Sequence, residues 1–231
     1  MPDGSDHGLE RNPSAASASL IRRPQELLCV QRIRGLADEL AQTESCQVDG
    51  LWPDRLRGDL AAEARARRPL ARLSRRVGHT VPGRPPAGSH QYWLDDGVLL
   101  DAVLRSPRLT ALAEALAGRR MAPFQAAYLY YPPGAYCGLH TDRAEFEVQM
   151  MVALDGDVAP LVLHPELAGA SPDELPGLAG TDGVPLPYAR TGVTVFRGTR
   201  IPHERPPNPG SGTGIVLALT YRSAAEEDGR R

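Results

Sequence analysis

The spacing of apolar residues changes near Met121. Upstream of it, apolar side chains recur every three or four positions, which is typical of amphipathic helices. This spacing predicts helices within residues 24–42, 54–77 and 95–116. Pro69 is expected to kink or split the second helix, and Ser106-Pro107 to divide the third, because proline lacks the amide hydrogen that a helix interior requires. We therefore predict that residues 20–120 form a helical N-terminal region.

Downstream of Met121, the pattern is that of short β-strands. Apolar or alternating runs are separated by glycine, proline and aspartate, which favour turns. These runs predict eight strands, near residues 122–131, 136–141, 146–154, 160–164, 184–189, 192–197, 200–204 and 213–222. Such a set of short strands is typical of a barrel-like sandwich. The expected protein is therefore mainly β, with a core at residues 121–222 on which the N-terminal helices pack.

Several segments show neither periodicity. Residues 1–19 are rich in Ser, Ala, Gly and Asp and are predicted to form a disordered leader. Residues 78–90 are predicted to form a loop, and residues 223–231 a frayed tail. The stretch 165–183 is predicted to be a long loop between strands. It is a candidate for substrate recognition, because proteins built on rigid frames vary their binding through loops.

Composition narrows the function classes. The chain has 231 residues, 42% of them hydrophobic, and a net charge of −2. Without clustered cations we expect no nucleic-acid partner, and without a long apolar run we expect no membrane span. The three cysteines, Cys29, Cys46 and Cys137, lack metal-type spacing and fit reduced thiols in a cytoplasmic protein better than disulfides. Nothing in the sequence indicates the oligomeric state.

One set of residues has the composition of a metal site. His140 and Asp142 lie two positions apart in a predicted strand, so their side chains point to the same face. His203 follows in a later strand segment. Two imidazoles and one carboxylate form the three-ligand face that holds non-haem Fe(II) and leaves positions open for substrate and oxygen. We therefore predict that His140, Asp142 and His203 bind one metal ion.

The residues around this set resemble a known enzyme superfamily. Tyr131-Pro-Pro-Gly134 precedes His140 and Asp142, and Gly192-Val-Thr-Val-Phe196 precedes His203. This order is similar to that of the iron(II)/2-oxoglutarate-dependent dioxygenases, particularly their short prolyl-4-hydroxylase-like and phytanoyl-hydroxylase-like branches. The resemblance covers a little under half of the chain. It implies a double-stranded β-helix (a jelly-roll, cupin-like core), catalytic Fe(II), 2-oxoglutarate as cosubstrate and O2.

The resemblance also implies a basic residue that holds the distal carboxylate of 2-oxoglutarate. Related enzymes carry an arginine near the position that Gly212-Thr-Gly214 occupies here, so the chain departs from the pattern. Arg222 ends the same predicted strand and shares a face with Gly214, which makes it the first candidate. Arg205, two residues after His203, is the second. Tyr128 and Tyr130 are candidates for a hydrogen bond to the cosubstrate, and packing of these rings in the core is an equal alternative.

The expected function is oxidation of an unactivated C–H bond in a small molecule, such as an amino-acid or natural-product intermediate. Related halogenases lack the carboxylate ligand, so Asp142 favours hydroxylation, desaturation or ring formation. Two alternatives stay open at this point. One is a cupin-like metal- or ligand-binding protein without oxygenase turnover, which the missing arginine near Gly214 favours. The other is an oxygenase that modifies a protein or peptide side chain.

Overall fold

The computed structural model describes residues 30–74, 91–171, 174–175, 183–186, 188 and 192–224. The predicted leader at 1–19, the predicted loop at 78–90, much of the stretch 165–183 and the tail from residue 225 lie outside the described residues. Within the described part, the chain forms four α-helices and eleven β-strands.

The helices occur where the sequence predicts helical segments. They are α1 (Val30–Thr43), α2 (Asp54–Arg67), α3 (Val98–Leu104) and α4 (Pro107–Ala117). The predicted division between α3 and α4 is confirmed, and Pro107 occupies the first turn of α4, where its missing amide hydrogen is not needed. α4 ends at Gly118, whose left-handed backbone (φ 67°) favours glycine. No helix in the described ranges is both long and apolar enough to cross a membrane.

The second predicted helix is shorter than expected. Instead of continuing to Val77, α2 is followed by a 3₁₀ turn at Arg68–Leu70 and by the short strand β2 (Arg72–Leu73). Pro69 explains the difference, because it cannot donate the amide hydrogen that would continue α2. Two further strands, β1 (Ser45–Val48) and β3 (Tyr92–Leu94), also lie within the region predicted to be helical.

The eight strands predicted after Met121 are confirmed. They are β4 (Met121–Tyr131), β5 (Cys137–His140), β6 (Val148–Asp155), β7 (Leu161–Leu163), β8 (Val184–Leu186), β9 (Val193–Phe196), β10 (His203–Arg205) and β11 (Gly214–Ser223). A large antiparallel sheet has the order β1-β9-β6-β11-β4-β3-β2, and a small one has the order β5-β10-β7-β8. Side chains from both sheets share one apolar cluster, so the sheets pack face to face as in the predicted double-stranded β-helix.

Both faces of the large sheet are buried. On β4, Tyr128 and Tyr130 belong to the cluster shared with the helices, whereas Tyr131 belongs to the cluster between the sheets. This division follows from the alternation of side chains along a strand. The Tyr130 phenol donates to the carbonyl of Ala64 on α2 at 2.8 Å, which attaches the helices to the outer face. The inner face is thereby left for the cavity described below.

Glu63 joins α2, α3 and the large sheet. Its carboxylate accepts hydrogen bonds from the backbone amides of Leu99 (2.9 Å) and Leu100 (3.1 Å) in the first turn of α3. It also accepts one from the phenol of Tyr128 at 2.5 Å. The two amides are among the donors that a helix N-terminus leaves without internal partners, and an anion is favoured beside them.

Replacing this carboxylate is expected to destabilise the fold. In Glu63→Gln, an NH2 group replaces one oxygen and faces hydrogen-bond donors, so the free energy of unfolding should fall by roughly 1–3 kcal/mol. Urea unfolding followed by circular dichroism measures the change. Glu39→Gln, at an exposed position of α1, is the matched control and should unfold like the wild type. Identical midpoints for Glu63→Gln and wild type would contradict the role given to Glu63.

Candidate metal centre and cavity

The candidate metal centre forms where β5 meets β10. His140 at the end of β5 lies opposite His203 at the start of β10, and the centroids of their rings are 4.4 Å apart. Asp142 follows β5, and one of its carboxylate oxygens lies 3.7 Å from His140 Nε2 and the other 3.4 Å from His203 Nε2. One ligand atom from each residue lies within 4.8 Å of the others. The structure therefore brings together the three residues that the sequence pattern singled out.

Backbone carbonyls orient both imidazoles. Nδ1 of His140 lies 2.7 Å from the carbonyl oxygen of Gly138, and Nδ1 of His203 lies 3.1 Å from that of Ile201. An Nδ1–H that donates to a carbonyl leaves the Nε2 lone pair available, which is the usual arrangement of histidine ligands. Both Nε2 atoms are near the Asp142 carboxylate. A divalent ion between them would have two nitrogen ligands and one oxygen ligand, a donor set that suits Fe(II).

The two histidines differ in their electrostatics. Burial lowers the pKa of His203 to about 4, so its imidazole is neutral at physiological pH. Burial also opposes a charge on His140, but the neighbouring Cys137 and Asp142 outweigh it and raise the pKa of His140 to about 10. A metal ion would bind both imidazoles in their neutral form, because histidine coordinates a metal only when it is deprotonated.

The Asp142 carboxylate is fixed by groups that the sequence analysis did not single out. The side-chain amide of Gln149 on β6 donates to it, and the backbone amide of Asp142 donates to the carbonyl of Gly198 at 2.8 Å. Gly198 is also in close contact with the carboxylate, since a Cβ there would overlap Asp142 Oδ2 and lie 2.9 Å from Gln149 Nε2. The alternation of side chains along β6 is the sequence signal that could have identified Gln149. No such signal marks Gly198, because its contact depends on how the turn between β9 and β10 packs.

Two other residues of ligand type lie outside the centre. Cys137 Sγ lies 3.9 Å from His140 Nδ1, the nitrogen that faces a backbone carbonyl. His164, which the sequence analysis leaves out of the metal set, pairs with Glu166 at 3.1 Å and with Glu204 at 3.4 Å. The hydrogen bond with Glu204 raises the pKa of His164. His164 is thus a core residue that pairs with acidic side chains beside the candidate metal centre.

A cavity of about 880 Å³ lies between the two sheets and reaches the metal centre. Its wall includes all three candidate ligands and apolar side chains from both sheets, among them Leu129, Met151, Leu161 and Ala218. Arg205 also lines the cavity and is 1% exposed. The exposed Arg72 and Leu73 line it too and mark its open end. The cavity therefore contains the candidate metal centre and a buried cation, and part of its wall is exposed to solvent.

Arg205 has no carboxylate partner among the described residues. Its guanidinium carbon lies 4.7 Å from the ring centre of Tyr131 and 5.0 Å from that of Tyr188. One NH2 group donates to the carbonyl of Ala159 at 2.6 Å, whereas the buried Nε–H has no hydrogen-bond partner in the described part of the chain. A buried charge is costly unless it is paired, so this guanidinium is suited to pair with an anion that enters the cavity.

Arg222, the first candidate for the cosubstrate anchor, lies away from the Arg205 guanidinium. Ala218 and Thr220 line the cavity, as alternation along β11 predicts, but Arg222 lies two residues further along the strand. It is exposed and its guanidinium stacks on the ring of Phe124 at 4.8 Å. The strand alternation was inferred correctly, but it does not reveal where the cavity ends.

The two tyrosine candidates lie on the other side of the large sheet. Tyr128 and Tyr130 face the helices and donate to Glu63 and to the Ala64 carbonyl. Tyr131 lines the cavity instead, and its phenol donates to the side chain of Gln91. Of the four residues predicted to contact the cosubstrate, Arg205 is the one that the structure brings to the cavity.

Comparison with known proteins identifies the fold. No protein-family model matches the chain, and no curated protein matches it in sequence. Among solved structures, the non-heme alpha ketoglutarate dependent epimerase SnoN from nogalamycin biosynthesis is similar, with 19% identity, a TM-score of 0.65 and 83% of each chain covered. The carbocyclase SnoK from the same biosynthesis has 12% identity and a TM-score of 0.62, covering 85% of this chain and 88% of its own.

A bacterial prolyl-4-hydroxylase shows the same likeness. The enzyme from Pseudomonas putida is 20% identical, with a TM-score of 0.55, and the match covers 84% of this chain and 100% of that one. At these identities the likeness shows the fold, which is the double-stranded β-helix of the non-haem iron, 2-oxoglutarate-dependent oxygenases. The fold predicted from the sequence is confirmed.

The contact at Gly198 generates a test of the metal centre. In Gly198→Ala, the added methyl group must push the Asp142 carboxylate aside, so metal affinity should fall at least about tenfold, as for other outer-shell changes at metal sites. Anaerobic Fe(II) titration against a competing chelator measures it. Gly212→Ala is the matched control, because a Cβ at Gly212 meets nothing within 4 Å. Equal Fe(II) affinity in Gly198→Ala and Gly212→Ala would show that Asp142 is not a ligand held by this contact.

Proposed function

We propose that this protein is an Fe(II)/2-oxoglutarate-dependent oxygenase that oxidises a C–H bond of a small molecule. One observation carries the proposal. The same cavity that reaches the His140, Asp142 and His203 centre also contains Arg205, a buried cation without a carboxylate partner among the described residues. A metal ligand set and an anion site in one cavity are what a chelating keto acid with a second carboxylate requires.

The proposed iron ligands are His140, Asp142 and His203. Bound iron with 2-oxoglutarate and O2 would supply the oxidising chemistry, in which the keto acid is converted to succinate and CO2. The chain itself contributes the fixed geometry of the three ligands. Gln149 and Gly198 hold Asp142 in place, and all three residues that would hold the iron line the cavity that a substrate would enter.

Arg205 is proposed to bind the distal carboxylate of 2-oxoglutarate. Its planar guanidinium suits a carboxylate because it presents several N–H donors in one plane. The rings of Tyr131 and Tyr188 both pack against the guanidinium and restrict its orientation. Burial raises the pKa of Tyr131, so its phenol stays neutral and does not compete for the cation. This role replaces Arg222, and it removes the argument for a binding protein without turnover that rested on the missing arginine near Gly214.

The cavity supports a small-molecule substrate. Its volume of about 880 Å³ lies in the range of ligand pockets, and its apolar middle would exclude water from the reacting atoms. SnoN was solved in complex with Fe3+, alpha ketoglutarate and nogalamycin RO, whereas a similar prolyl hydroxylase from Trichoplax adhaerens was solved with a peptide fragment. The described cysteines Cys46 and Cys137 are free thiols, which supports the proposal of a cytoplasmic enzyme.

The decisive variants are Arg205→Met and Arg222→Met. If Arg205 pairs with the distal carboxylate, its loss should cost about 2–5 kcal/mol and weaken 2-oxoglutarate binding at least about thirtyfold. Arg222→Met removes the same charge from the candidate that lies outside the cavity and should bind 2-oxoglutarate like the wild type. Anaerobic calorimetry on the Fe(II)-loaded proteins measures both affinities, and Fe(II) affinity serves as the control for folding.

The opposite result would show that Arg222, and not Arg205, binds the distal carboxylate of 2-oxoglutarate. Weak binding in Arg222→Met with unchanged binding in Arg205→Met would contradict the assignment. If 2-oxoglutarate fails to bind the wild-type Fe(II) protein, the cosubstrate proposal itself is wrong and the cupin-like binding protein is favoured.

A further inference from the structure

The open end of the cavity is basic. Arg72 on β2 and Arg143, directly after Asp142, both line the cavity and both are exposed. The cavity wall contains two carboxylates from the described residues. Asp142 belongs to the metal centre, and Glu204 lies 3.4 Å from His164. The open end thus has two guanidinium groups and no carboxylate of its own in the described part of the wall.

Arg143 is held in place by an aromatic pair. Its guanidinium lies 4.8 Å from the ring centre of Phe146, and one NH2 group lies 3.4 Å from Gln125 Oε1. Phe146 packs edge-on against Phe124 at 5.8 Å, and Arg222 stacks on Phe124 in turn at 4.8 Å. Stacking occupies one face of the Arg143 guanidinium and leaves the N–H groups at its edge available to a ligand.

Apolar side chains accompany the two cations. Trp93 on β3 and Phe146 line the cavity, and so does Leu73, which is 46% exposed. An indole, a phenyl ring and an exposed leucine line the same cavity as the two guanidinium groups, so its wall has both apolar and cationic parts. Such a wall matches a ligand with a flat apolar body and an acidic group.

We propose that the substrate is an organic anion, with its acidic group bound by Arg143 or Arg72 at the open end of the cavity and its apolar, ring-bearing body packed against the aromatic side chain next to that arginine, Phe146 or Trp93. The inference deepens the proposed function, on which it rests, by naming the substrate class. The acidic group is a carboxylate or a phosphate, since both accept hydrogen bonds from a guanidinium. Because Arg205 binds the cosubstrate carboxylate, the arginines at the open end are available to the substrate.

Three related probes test the proposal: 2-naphthoate, 2-naphthyl phosphate and the neutral 2-naphthamide. Each is titrated by anaerobic calorimetry into the Fe(II) protein saturated with 2-oxoglutarate, so that Arg205 is already occupied. The better-bound anion should bind about fivefold or more tightly than the amide, as for a modest charge-assisted contact near solvent. Whichever anion binds more tightly identifies the acidic group of the substrate as a carboxylate or a phosphate. Arg143→Gln or Arg72→Gln should reduce this preference, leaving naphthamide affinity unchanged, and the variant that does so identifies the arginine that binds the anion.

Arg55→Gln is the matched control, because it removes one positive charge from an exposed position of α2, on the helical side of the large sheet. It should keep the preference for the anion. The proposal is overturned if the amide binds as tightly as both anions, or if neither Arg143→Gln nor Arg72→Gln changes the preference. Prior saturation with Fe(II) and 2-oxoglutarate separates a failure of the proposed function from a failure of the substrate inference. Failure at that first step would overturn the proposed function, whereas a saturated protein without anion preference would overturn only this inference.

Discussion

The pairing of β5 with β10 is the constraint on which the site depends. It places His140 opposite His203, and Asp142 then reaches both imidazoles because it follows His140 by two residues. A slip of one residue in this pairing would turn one histidine away from the cavity. The same strand β10 carries Arg205, two positions after His203, and both residues line the cavity. One three-residue strand thus carries both a candidate metal ligand and the arginine proposed to bind the cosubstrate.

The two faces of the large sheet have different roles, because the outer face packs against the helices and the inner face lines the cavity. Its outer face is covered by helices and carries the phenols of Tyr128 and Tyr130, which donate to groups on α2. Its inner face carries Tyr131 and Gln149, which line the cavity. Because adjacent residues serve opposite faces, the helical layer stabilises the sheet without entering the cavity. The side chains near the metal are consequently supported by a sheet that is buried on both sides.

The sequence predicted the regular parts of this structure and the residues whose chemistry is distinctive. The eight strands after Met121 and the division before Pro107 follow from local patterns, and the metal set follows from residue type and order. The strands β1, β2 and β3 were missed because they are short strands that lie among helical segments, whereas strands of similar length after Met121 lie among other strands. Arg205 was ranked below Arg222 because alternation identifies the face of a strand but not the depth of the cavity. The contact of Gly198 with Asp142 depends on tertiary packing and has no local signal.

The central claim is that one centre binds both iron and 2-oxoglutarate. Anaerobic titration of the 2-oxoglutarate-containing protein with Fe(II) tests it most directly, because a keto acid bound to iron gives a weak visible charge-transfer band. The account predicts that this band saturates at one Fe(II) per chain and is absent in a folded His140→Ala variant. A wild-type protein that shows no band at saturating Fe(II) and 2-oxoglutarate, or a His140→Ala variant with the full band, would contradict it.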